Sequence, residues 1–274
     1  MFPSLCLCHV ERVLSNVSFE SLKIAGFCPS LLWQLSLLPL FFGSSDEPLF
    51  GAYEAPRGSP CGAAVLLLNP AGWEYLRAHR SLRVLSARLA DNGFDVFRFD
   101  YTGTGDSWGD EQNASLTRWL TDAVAAAEEL DALAGGVPLH IVGLRHGARL
   151  AQLLVAEQHL RASSVVLWDP PRLDELAKDR GAPKANDDGT PPALRIPVEV
   201  AGAMAQRRWA PLPESFHSVV VTSIQASPPD DLVASMSVQL SAIGADACWV
   251  EQAHHGAGPI SLPAIETIIE LLSR

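Results

Sequence analysis

Gly143-Leu144-Arg145-His146-Gly147 follows the apolar run Pro138 to Val142 and opens a helical pattern from Ala148 to Leu160. Two glycines four residues apart at a strand-to-helix junction allow a sharp turn that pushes its central side chain outward under strained backbone angles. A serine there would be an exposed nucleophile, but the residue is Arg145. Arginine stays protonated and has no lone pair to offer, so Arg145 cannot accept an acyl group. Two roles remain for it. Together with the helix N-terminus it can hold a carboxylate, a phosphate or a polarised carbonyl while another group activates water. Alternatively, an internal carboxylate such as Glu74 or Asp231 neutralises it, and the pocket is catalytically silent.

Other residues with chemical potential fall just after apolar runs. Asn69-Pro70-Ala71-Gly72 ends the run Ala63 to Leu68, and Asp100-Tyr-Thr-Gly103-Thr-Gly105-Asp106-Ser107 follows Phe94 to Phe99. The second stretch is not a phosphate loop, because the G-K-[ST] ending is missing. Asp230 and Asp231 follow the run Ser218 to Ile224, and His254-His255-Gly256 follows Ala247 to Val250. A histidine acts as a base once a carboxylate fixes its tautomer. The adjacent aspartates could equally cap a helix starting near Leu232. Five cysteines, three of them before residue 30, give neither a disulfide framework nor a pair of C-x-x-C units, so no metal or other cofactor is expected.

The elements that must position these residues alternate. Apolar strands at 63–68, 94–100, 138–142, 164–168, 218–224 and 247–250 are separated by helical patterns at 75–89, 115–133, 148–160 and 232–243, and a last helix is expected at 263–272. Strand and helix in alternation imply a mostly parallel sheet covered on both faces, an α/β fold. In open sheets of this kind ligands bind at the carboxyl ends of the strands, where the residues named above lie. Residues 1–44 differ in composition and are read as an extension, leaving 45–274 as one domain. Within it, 171–216 is rich in proline, glycine and charge and breaks the rhythm, as a lid insertion does.

Several stretches together resemble a known family. The loop Asp100-x-x-Gly103-x-Gly105-x-Ser107, placed before Gly143-x-x-x-Gly147, resembles α/β-hydrolases of the serine aminopeptidase-like and lysophospholipase-like group. Phe41-Phe-Gly-Ser-Ser-Asp46, Asn69-Pro-Ala-Gly-Trp-Glu-Tyr75, Gly143-Leu-Arg-His-Gly-Ala148 and Leu167-Trp-Asp-Pro170 resemble more closely a bacterial hydrolase subfamily found beside exosortase or exopolysaccharide genes, whose members often carry arginine in place of the elbow serine. The resemblance covers residues 41–274. It implies an α/β-hydrolase fold acting on an ester, thioester or lactone, or else a silent relative that binds an anionic or acyl ligand. Carried over by position, it makes the backbone N–H groups of Ala71 and His146 the oxyanion donors. It puts Trp73 and Glu74 beside the substrate, and assigns His255 and Asp231 to catalysis with Arg145. His254 and Asp230 are close competitors, and Asp169 is the outside choice for the acid.

Composition narrows the partners. The chain of 274 residues has 20 basic and 31 acidic side chains, a net charge of −11, which disfavours nucleic acid and anionic membranes. The longest apolar stretch, Leu31 to Phe42, contains Gln34, Ser36 and Pro39 and falls short of the ~20 residues that span a bilayer. No signal-peptide pattern opens the chain. A cytoplasmic protein with a small-molecule acyl or anionic ligand is therefore expected, its oligomeric state left open.

Overall fold

The computed structural model describes residues 37–158, 160–172, 175, 196–209, 217–223, 229, 232, 239–243 and 260–274. The strands are β1 (Leu37–Gly43), β2 (Pro48–Glu54), β3 (Ala64–Leu68), β4 (Asp95–Phe99), β5 (Leu139–Leu144), β6 (Ser164–Trp168), β7 (His217–Ser223) and β8 (Gln239–Ile243). The helices are α1 (Trp73–Asp91), α2 (Leu116–Ala134), α3 (His146–Glu157), α4 (Val198–Gln206) and α5 (Leu262–Leu272). They build one eight-stranded sheet in the order β1-β2-β4-β3-β5-β6-β7-β8. Its six strands from β4 to β8 run parallel, and β1 and β2 are antiparallel additions at one edge. This is the expected α/β-hydrolase architecture.

The continuous apolar run of β3 is explained by its place between β4 and β5, where every residue from Ala64 to Leu68 is buried. Its side chains alternate between two cores. Leu66 and Leu68 join the face covered by α2, α3 and α4, and Val65 and Leu67 join the face covered by α1 and α5. On the first face Trp119 of α2 is fully buried, and Tyr101 stacks on it with ring centroids 4.8 Å apart. α2 starts where Ser115 accepts a hydrogen bond from the N–H of Arg118, and stops at Gly135 in the left-handed region.

Chain order places β3 at the point where connections change direction. The crossover through α1 leads from β3 to β4 on one side, and the crossover through α2 returns past β3 to β5 on the other. The crevice between the carboxyl ends of β3 and β5 is where such folds bind ligands.

Two elements differ from expectation. The sheet begins before residue 45, because Leu37–Gly43 pairs in register with Pro48–Glu54. The irregular composition around Pro39 suits an edge strand, where a missing N–H is tolerated. Residues 239–243, expected as the end of a helix from 232, form β8, which pairs in parallel with β7 from Val219↔Gln239 to Ser223↔Ile243. Pairing with the open edge of β7 outweighs a short helical period there. Within the block 171–216, Val198–Gln206 is a helix that buries Val200, Ala201 and Met204. The strand expected at 247–250 lies outside the described residues. Among the described residues, no helix is long and apolar enough to cross a membrane.

Candidate active site

Packing builds the turn between β5 and α3. A Cβ on Gly143 would overlap the carbonyl of Gly147, and one on Gly147 would overlap the carbonyl of Leu68. The start of α3 therefore lies directly against the end of β3. Arg145, between the two glycines, is held at φ 53 and ψ −116. Residues other than glycine rarely adopt this backbone region, at a cost on the order of 1–3 kcal/mol. Its N–H donates to the carbonyl of Trp168 at 2.9 Å, and its carbonyl accepts from the N–H of Ala148 at 2.9 Å, which fixes the turn to β6 and to α3.

The Arg145 side chain is only 7% exposed, and each of its three nitrogens donates a hydrogen bond. Nε donates to both oxygens of Glu74, at 3.0 and 3.1 Å. Nη1 donates to the Asp169 carbonyl at 3.2 Å, and Nη2 donates to Glu175 Oε2 at 2.9 Å. Burial works against the charge, but the fields of Glu74 and then Glu175 outweigh it and raise the guanidinium pKa above its ordinary value. Glu74 stands in the first turn of α1, with Oε2 3.4 Å from Nδ1 of His146. One carboxylate thus faces both residues at the heart of the turn.

Beside this cluster the loop after β3 borders a cavity of about 220 Å³, lined by Ala71, Gly72, Tyr75, Tyr101, Thr104 and Pro197 among others. Its floor is stiff. The Tyr75 hydroxyl donates to Asp100 Oδ1 at 2.7 Å, and the N–H of Asp106 donates to Oδ2 at 3.1 Å. Burial raises the Asp100 carboxyl above its usual range, against the opposing effect of the Tyr75 hydrogen bond. Burial and then the Asp100 charge push the Tyr75 phenol up as well. Ser107 Oγ donates to the Asp100 carbonyl at 2.5 Å and accepts from the Phe50 N–H at 2.9 Å, clasping the loop to β2. The D-x-x-G-x-G-x-S stretch is therefore scaffold: its serine ties two strands together.

A family model described as serine aminopeptidase, S33, matches residues 63–227, well over half of the chain. The chain belongs to that family of α/β-hydrolases. No curated protein sequence matches this hydrolase. In fold it is similar to a thermostable carboxyl esterase from Bacillus coagulans, with a TM-score of 0.60, 14% identity, and coverage of 87% of this chain and 98% of that one. It is also similar to Est1E from Butyrivibrio proteoclasticus, solved with ferulic acid bound, at a TM-score of 0.58, 14% identity and coverage of 85% and 96%. The bottromycin epimerase BotH, solved with bottromycin A2, reaches 0.54 at 16% identity over 86% and 96%. Likeness at these identities shows the fold, and the third case shows that the fold is not confined to proteins named as esterases.

The structure brings together Arg145, His146 and Glu74, with Ala71 on the adjoining loop. Trp73 opens α1 and carries the guanidinium of Arg77 over its ring, 5.5 Å from the centroid. Asp169, buried just after β6 at φ 44, meets Arg145 through its main-chain carbonyl. Asp230, Asp231, His254 and His255 lie outside the described residues. Trp209, one of the residues of the irregular block, is buried beneath Arg149, whose guanidinium carbon is 4.5 Å from the ring centroid. Two residues of the candidate site escape sequence reasoning. Tyr75 lies in a family-like stretch but shows its role only through its bond to Asp100. Glu175 sits in the irregular block and carries no motif at all. Among the described residues no group of three metal-ligating side chains occurs.

Proposed function

We propose that this hydrolase cleaves an ester, thioester or lactone by direct attack of water, without a covalent acyl-enzyme, and that Arg145 stands at the family's nucleophile position. The observation that carries the reading is the strained backbone of a buried, non-glycine residue at the elbow. Strain of this size persists where surrounding structure over-determines it, and it gathers at functional sites. A merely structural turn here would be served better by a third glycine.

In this reading the acyl carbonyl lies between the N–H groups of Ala71 and His146. His146 begins α3, where N–H groups have no acceptor within the helix and the dipole favours developing negative charge. His255, oriented by Asp231, accepts a proton from water as the new C–O bond forms; His254 and Asp230 are the adjacent alternatives. Collapse of the tetrahedral intermediate expels the alcohol or thiol, which recovers that proton. Arg145, held by Glu74, orients the substrate. The five cysteines, with no disulfide framework in their spacing, support a cytoplasmic setting. The arginine at the elbow and the stretches quoted above support membership of the exosortase-associated subfamily.

One observation favours a second reading, a silent protein that binds an acyl or anionic ligand: the guanidinium already meets two carboxylates and a carbonyl. Hydrolysis of a panel of short-chain p-nitrophenyl esters by wild type and His255→Ala separates the two. Direct hydrolysis predicts turnover by the wild type, its loss in the variant, and no acyl adduct by intact-protein mass spectrometry. Equal inactivity of both proteins across the panel refutes it and leaves the binding role.

A further inference from the structure

We propose that Glu175 fills the seat of a ligand carboxylate on Arg145, and that the natural acyl compound carries a free monocarboxylate which displaces it. The word acyl rests on the function proposed above; the carboxylate seat rests on the ion-pair geometry alone.

The two carboxylates on Arg145 are held differently. Glu74 is 18% exposed, stands on a helix of nineteen residues, receives Nε on both oxygens and faces His146. Glu175 is 40% exposed and receives Nη2 on one oxygen. That same oxygen accepts one further, longer hydrogen bond, from the Arg172 N–H at 3.4 Å. Partly exposed pairs of this kind contribute little. Glu74 is thus the fixed partner and Glu175 the exchangeable one. The Asp169 carbonyl on Nη1 and Glu74 on Nε keep the guanidinium plane in place when Glu175 leaves.

Charge selects the replacement. With both glutamates in contact the cluster carries one positive and two negative charges, and without Glu175 it is neutral. A monocarboxylate restores the same charge and the same charge-assisted hydrogen bond at a donor that is already desolvated. A phosphate dianion would add a second negative charge beside Glu74, which like-charge repulsion penalises. A neutral ligand group would forgo the charge-assisted bond.

The test is thermal unfolding of the full-length chain titrated with acetate, with phosphate and chloride at matched ionic strength as comparisons. Proteins are wild type, Glu175→Ala and Glu175→Ala/Arg145→Gly, the glycine removing the guanidinium while suiting the backbone angles. If the internal carboxylate occupies the seat about nine-tenths of the time, acetate binds Glu175→Ala about tenfold more tightly than wild type. The effect saturates, exceeds that of phosphate, and vanishes in the double variant. An equal acetate response in wild type and Glu175→Ala overturns the proposal, as does a response that persists without Arg145 or one in which phosphate matches acetate. Should Glu175→Ala not fold, Glu175→Gln reports the same tightening or its absence. Ester turnover is not read in this assay, so inactivity on the ester panel and a failed acetate titration each refute only their own claim.

Discussion

Replacing Arg145 by alanine and by glycine separates the two things the residue does. Both variants lose the guanidinium and leave Glu74 without its main partner, so that loss is common to the pair. Removing one member of a buried ion pair costs about 3–5 kcal/mol. Glu74 keeps 18% exposure, and discounting for its solvation gives about 2–3 kcal/mol for each variant relative to wild type. The variants differ in the backbone. At φ 53 and ψ −116 alanine retains the strain of about 1–3 kcal/mol, whereas glycine escapes it and gives back about 0.5–1 kcal/mol through the greater freedom of its unfolded chain. Arg145→Gly is therefore expected to be the more stable of the two, by up to about 2.5 kcal/mol. Equilibrium unfolding in urea, with equal slopes for the two proteins, reads the difference from the midpoints. An alanine variant more stable than the glycine variant, by the roughly 0.5–1 kcal/mol that glycine's unfolded-chain freedom costs, would show that the turn carries no strain, and the functional argument built on it would fall.

Two further outcomes follow from particular contacts. Ser107→Ala leaves the Phe50 N–H and the Asp100 carbonyl without their shared partner, and is expected to lower stability by about 1–3 kcal/mol in the same urea experiment; an unchanged midpoint would mean the clasp is dispensable. Burial lowers the pKa of His140, whose Nδ1 lies 2.7 Å from Ser164 Oγ, so its imidazole should titrate below the ordinary histidine value of about 6.5 in a proton NMR titration. The sign is that of a depressed base: the stability it contributes is present above the unfolded value and lost as pH falls through the folded one. Titration at or above the ordinary value would contradict the burial.

The parallel part of the fold is legible in the sequence because it rests on strong local signals. Ala64 to Leu68 is apolar at every position since the strand is covered on both faces, and α2 announces itself through Ser115 and Gly135 at its ends. The edges are not legible in the same way. β1 contains Pro39, and β8 lies within a helical-looking stretch; their strand character comes from neighbours, Pro48–Glu54 and His217–Ser223, that are remote from any local window. In the site, the turn is visible because two glycines must sit where carbonyls crowd. Glu74 as a partner for Arg145 is readable as chemistry, because a buried guanidinium needs a carboxylate. Glu175 is not, because a partner 30 positions away in an irregular block is selected by proximity alone.

The glycines at 143 and 147 are required by main-chain contacts, with Gly147 and Leu68, that would exist whatever side chain stood between them. The turn is consequently a frame that does not depend on the side chain it holds. Exchange of the residue at 145 would change the side chain held at the turn while leaving its frame in place. The neighbours then decide which reagents are tolerated. Glu74, placed to balance a permanent cation, would leave uncompensated negative charge beside a neutral side chain at 145. A serine placed at 145 would therefore call for a matching change at 74.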